Sequence, residues 1–127
     1  MKKNILAALA AACALALGGC TSLHTPPDDR RVTVAPALGD SVWVTDVRMT
    51  KGRSQCYTLQ ANIANNTSSV AQLEYCVIWL DSTGMEISTL LSGWQFASLA
   101  PREVRGLTAT APSPDACDFR FYVQPAR

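Results

Sequence analysis

With 127 residues the chain has room for one domain and an attached segment, and no more. Its 11 Lys and Arg nearly cancel its 10 Asp and Glu, for a formal charge of +1. That balance, without a basic cluster, excludes a nucleic-acid footprint and a polybasic lipid patch, so no nucleic-acid partner is expected.

Lys2 and Lys3 open the chain, and the run from Ile5 to Leu17 is apolar throughout. At ~1.5 Å rise per residue that run makes roughly 20 Å of helix, against ~30 Å of bilayer hydrocarbon. It is the core of an export signal and too short for a transmembrane span. Leu17-Gly18-Gly19-Cys20 resembles the lipobox of bacterial lipoproteins. The resemblance implies cleavage before Cys20, a diacylglycerol on its thiolate and acylation of the new amine. Two or three acyl chains hold firmly, where one binds only marginally. Thr21 stands where an aspartate retains enterobacterial lipoproteins at the inner membrane, so the implied site is the outer membrane, facing the periplasm. Processing leaves 9 basic residues against 10 acidic ones, a formal charge of about −1. Cys13 leaves with the signal, and Cys56, Cys76 and Cys117 enter an oxidising compartment.

The segment 21–39, "TSLHTPPDDRRVTVAPALG", reads as a tether. Pro26-Pro27 is stiff, Asp28-Asp29-Arg30-Arg31 is a solvated charge run, and Pro36 with Gly39 interrupts regular structure. Val32-Thr33-Val34 alternates and suits a short edge strand. From Ser41 the apolar pattern has period two. "SVWVTDVRM" would place Trp43, Thr45, Val47 and Met49 on one face, and "CYTLQANIAN" does the same for Tyr57, Leu59, Ala61 and Ile63. "NNTSS" is a polar turn, and "QLEYCVIWLD" alternates Leu73, Tyr75, Val77 and Trp79 against Glu74, Cys76, Ile78 and Leu80. "DSTG" is a turn in which Asp81 can bond the backbone and Gly84 can take a positive φ. "MEIS", "GWQFASL", "EVRGLTATA" and "DFRFYVQ" complete the strands, the last with Phe119, Phe121 and Val123 inward. About seven short strands with turn signals every 8 to 12 residues predict an all-β, antiparallel sandwich of immunoglobulin-like size. The expected organisation is a signal peptide over 1–19, lipidated Cys20 and a flexible tether over 20–40, and the sandwich over 41–127.

"NIANNTSSVAQLEYCVIWLDSTGMEI", Trp94, "LAP" at 99–101, "TAP" at 110–112 and "FRFYV" at 119–123 resemble the YcfL-like family of small bacterial lipoproteins. The resemblance spans about residues 40–125. It implies an immunoglobulin-like sandwich tethered in the cell envelope, and the family brings no catalytic residue, cofactor or ligand to carry over.

The residues themselves offer little chemistry. His24, the single histidine, lies in the tether, where nothing rigid would hold it beside a substrate. That removes Ser-His-Asp and Cys-His schemes and His-based zinc sites, and the cysteines contain no C-x-x-C pair. Asp81 and Glu86 flank one turn but suit capping and solvent exposure better than acid–base work, and Asp115 with Asp118 suits loop solvation better than calcium. No catalytic residue, metal or cofactor is therefore expected. In an immunoglobulin-like topology Cys56 and Cys117 begin strands at the same end, and a Cys56–Cys117 bridge is expected. A Cys56–Cys76 bridge or three free thiols are the alternatives. The aromatic residues Trp43, Tyr57, Tyr75, Trp79, Phe96, Phe119, Phe121 and Tyr122 mostly suit the core, while Trp94, after Gly93, is the candidate surface anchor. The expected role is a non-enzymatic, lipid-anchored interaction module that meets an envelope protein through sheet edges or the loops 65–69, 81–84 and 112–116. A structural envelope subunit is the alternative, and a glycan-processing hydrolase is disfavoured.

Overall fold

The computed structural model describes residues 29–90 and 92–127. Cys20, His24 and the signal segment lie outside those residues. Eight strands form two sheets: β1 (Val32–Val34), β2 (Val42–Lys51), β3 (Tyr57–Asn65), β4 (Ala71–Leu80), β5 (Glu86–Ile87), β6 (Gln95–Leu99), β7 (Val104–Thr110) and β8 (Asp118–Pro125). The larger sheet runs β1-β8-β4-β5, with β6 also paired to β4, and the smaller runs β2-β3-β7. All pairs are antiparallel except β1 with β8, which is parallel. The fold is the all-β sandwich that the period-two pattern predicts.

The core forms where inward phases of the two sheets meet. Leu59, Ala61 and Ile63 of β3 face Leu73 and Trp79 of β4 and Phe119, Phe121 and Val123 of β8. Trp79 meets Phe119 edge-on, with ring centroids 6.3 Å apart. In β2 the expected phase is displaced. Val42 and Val44 are inward, while Val47 and Met49 also pack on the core. The pairing with β3 shifts register between Thr45 and Arg48, where Asp46 adopts φ 50°. One extra residue at this bulge reverses which side chains point inward, so Trp43 is not on the core phase.

The sandwich starts earlier than Ser41. β1 lies against β8, and a 3-10 turn over Pro36–Leu38 follows it. The charge run is also more than solvated. Arg31 Nη2 and Nε donate to Asp29 Oδ2 and Oδ1 at 2.8 and 2.9 Å, and its guanidinium lies 4.5 Å from the centre of the Phe119 ring. Phe121 N donates to Arg31 O at 2.7 Å. This clamp fixes Asp29 and Arg31 beside the start of β8. The Arg31 hydrogen bonds hold the Asp29 carboxyl below its ordinary range.

At the opposite end, Asn65 is 1% exposed and organises two loops. Its Nδ2 donates to the carbonyls of Ser69, Leu99 and Ala100 at 2.8, 3.3 and 3.0 Å. Its Oδ1 accepts from Thr67 N and Thr67 Oγ1 at 3.0 and 2.7 Å. Arg102, at φ 62°, is pinned there by donating from Nη1 to Asn66 O at 2.7 Å.

Candidate interaction surface

β6 occupies an edge of the larger sheet. Ala97 and Leu99 are buried, so the alternation turns Phe96 and Ser98 outward, and Phe96 is 62% exposed. Trp94, just before the strand, is 49% exposed. The expectation that Phe96 is core fails because Ala97 and Leu99 take the inward phase. Phe96 lies opposite Glu74, which lies opposite Gln124 on β8. Gln124 Nε2 donates to Glu74 Oε2 at 3.0 Å, which with the Arg127 amide holds that carboxyl below its usual range. An exposed aromatic pair thus sits beside a fixed carboxylate, with fully exposed Leu90 in the segment leading to Trp94.

Between β6 and β5 no strand pairs with the outer edge of β4 among the described residues. β6 pairs with β4 over Ala71–Tyr75 and β5 over Trp79–Leu80, leaving 76–78 without a strand on that side. Beneath lies a lateral cleft of about 300 Å³ between the sheets, lined by Val77, Trp79, Gln95, Thr108, Ala109 and Pro112 among others. That volume is at the small end of ordinary ligand pockets. A second cavity, of about 260 Å³, lies at the β1–β2 side against Val34, Pro36 and Trp43.

Cys56, Cys76 and Cys117 are free thiols in the structure. Cys56 and Cys117 do stand at one end of the sandwich, before β3 and β8, but no bridge joins them. The inward phase of β8 stops short of Cys117: fully buried Ala116 fills the core there, and Cys117 is exposed. Cys56 instead packs against the core. Cys76 is buried on the outer face of β4, where its Sγ donates to Ser92 O at 3.3 Å. Burial, and then the charge of Glu86, pushes the Cys76 thiol up.

Asp81 is consumed by its turn. Its Oδ1 accepts from Thr83 N, Thr83 Oγ1 and Met85 N at 2.8, 2.6 and 3.0 Å, while Gly84 takes φ 84°. The Thr83 hydroxyl and these amides lower the Asp81 carboxyl's pKa. Glu86 is exposed, and Asp118 pairs with Arg120 at 3.3 Å. Among the described residues no group of three His, Cys, Asp or Glu is placed to hold a metal. Of the end loops, 65–69 is locked by Asn65 and 81–84 by Asp81. The residues missed from sequence are Phe96, Asn65 and Arg31. For Asn65 a signal existed: Asn-x-Thr at a strand end is the pattern of a side chain bonding the backbone two residues on.

The fold and this surface define a small two-sheet β-sandwich domain with an exposed aromatic edge. The chain belongs to the DUF1425 family, described as a protein of unknown function, whose match spans residues 29–125. That start coincides with the Asp29–Arg31 clamp. A crystal structure of a DUF1425 family member from Shewanella sp. pv-4 superposes with TM-score 0.62 at 21% identity, covering 68% of this chain and 79% of that one. The crystal structure of Campylobacter jejuni cj0090 superposes with TM-score 0.64 at 19% identity, covering 77% of this chain and all of the other. At these identities the likeness is one of fold. No curated protein matches the chain.

Proposed function

We propose that this protein is a YcfL-like, lipid-anchored module of the cell envelope that binds another envelope protein and performs no catalysis. The observation that carries the reading is the exposed pair Phe96, on edge strand β6, and Trp94, just before it. Leaving two large aromatics in water costs the burial that a partner would restore, about 25 cal/mol per Å² of apolar surface. The lipobox-like Leu17-Gly18-Gly19-Cys20 supports the anchor, and the clamp at Asp29 supports an orientation. The described residues begin at Asp29 beside the β8 start, which favours an orientation with the loops around Asn65 away from the membrane. Thr21 after Cys20 favours the outer membrane.

Two variants test the two halves of this proposal. Cys20→Ser should abolish incorporation of labelled palmitate and release the protein from the membrane fraction. Trp94→Ser with Phe96→Ser should leave the melting temperature within about 3 °C, since exposed changes cost little. The same double variant should free the detergent-solubilised protein from its complex. Unchanged co-migration of the double variant would refute the surface.

A further inference from the structure

We propose that the edge of β7, unpaired among the described residues, accepts one extended segment of a partner protein as a fourth strand of the smaller sheet, with uncharged apolar side chains entering the lateral cleft. This rests on the interaction-module reading and specifies the partner's chemistry. The two sheets are unequal. From the closed side, β1 lies by β2, β8 packs over β3 through Phe121 against Leu59 and Ala61, and β4 faces β7 through Val77 and Trp79. β6 pairs with β4 over Ala71–Tyr75 and its inward Ala97 and Leu99 are buried, so the sheets close there and stay open beside the other end of β7, at Thr108–Thr110. Tyr75 and Val77, although on the inward phase, are therefore only half-buried.

The two edges of the smaller sheet are treated differently. β2 is interrupted by the Asp46 bulge and carries Asp46, Arg48 and Lys51, devices that discourage pairing with another chain. β7 pairs with β3 in unbroken register from Val104 to Thr110, contains no proline and has no charge after Arg105. Arg105 itself is tied to Glu103 at 2.7 Å. An edge with open backbone donors and acceptors selects an extended backbone, and the side-chain pockets beside it select alternate residues.

The cleft decides the occupant. Among the described residues no charged side chain lines it, so a charged side chain entering would be desolvated without a partner there. Strands in a sheet are ~4.8 Å apart, so one strand added to β7 would lie beside the cleft at Thr108–Thr110. The complementary ligand is thus a slim, uncharged strand with apolar residues at every second position.

The test uses the full acylated chain in detergent micelles. The probe is a capped peptide that alternates valine and threonine over the length of β7, with a lysine at each end. Amide hydrogen exchange is read along 104–110. At saturation, alternate amides of β7 should slow roughly tenfold or more, with β2 unchanged. The same peptide with proline for its central valine should give no protection. No slowing at ~1 mM peptide, equal slowing by the proline peptide, or protection at β2 or β6 would each overturn the proposal. Thr108→Pro and Ala109→Pro aim neighbouring amides at opposite edges; the one that keeps the melting temperature should abolish protection. If neither folds, Ala109→Lys places a charge in the cleft and should weaken the peptide roughly tenfold. Lost β7 protection with the Trp94 and Phe96 contact intact would overturn strand addition alone.

Discussion

Asn65→Ala should be among the most damaging polar substitutions in the domain. The side chain makes five hydrogen bonds, from Nδ2 to the carbonyls of Ser69, Leu99 and Ala100 and to Oδ1 from Thr67 N and Oγ1. Thr67 is partly exposed, so water can replace some of these bonds. The carbonyl of buried Leu99 is the group left without this partner. A net hydrogen bond is worth about 1 kcal/mol, and an orphaned buried group costs about 1–3 kcal/mol, giving roughly 3–4 kcal/mol for the whole change. A domain of this size loses about 4–8 °C of melting temperature per kcal/mol, so the expected fall is about 15 °C or more. Urea unfolding followed by tryptophan fluorescence measures it, with an unchanged m-value. Asn65→Asp keeps the acceptor but sets a carboxylate against three carbonyls, and should be no better at neutral pH. A loss below about 1 kcal/mol for Asn65→Ala would refute the reasoning, since it would mean the two loops do not depend on this hub.

Other outcomes follow from the same contacts. Trp79→Ala removes a buried aromatic between the sheets and should cost about 3–5 kcal/mol, enough to unfold much of the population at 37 °C. Arg31→Ala should cost roughly 1–2 kcal/mol at neutral pH, since it loses a partly exposed ion pair and the cation–π contact with Phe119. Because the Asp29 pKa is lowered by folding, its share of that stability is full above the ordinary aspartate range and is lost as pH falls through the folded value. The gap between wild type and Arg31→Ala should therefore narrow in acid, as read by urea midpoints at stepped pH. Thiol labelling of the reduced protein should modify exposed Cys117 first, half-buried Cys56 next and Cys76 only on unfolding. Fast labelling of Cys76 in the native state would contradict its burial.

The alternation in β3, β4 and β8 was readable because each strand has one buried face and an uninterrupted register, so Leu59, Leu73 and Phe119 announce their side. β2 misled because a bulge is one residue in length and has no apolar signature; Asp46 in a left-handed conformation looks like any polar strand residue. Arg31 was read as solvated because its partners, Asp29 and Phe119, are brought together only by the β1–β8 pairing. The outward turn of Phe96 is not legible in its own segment, because it depends on Ala97 and Leu99 reaching the core. The cleft beside β7 could not be read from any one segment. It lies where β4, between its pairings with β6 and β5, faces the end of β7.

The most direct test of the central claim is photo-crosslinking in intact cells from single positions on the two outer faces. A photoreactive residue in place of Phe96 samples the aromatic edge, and one in place of exposed Gln60 samples the outer face of the smaller sheet. The account predicts a discrete protein adduct from position 96 that disappears with Trp94→Ser, and none from position 60. Equal adducts from both positions, or an adduct from position 96 that survives Trp94→Ser undiminished, would contradict it.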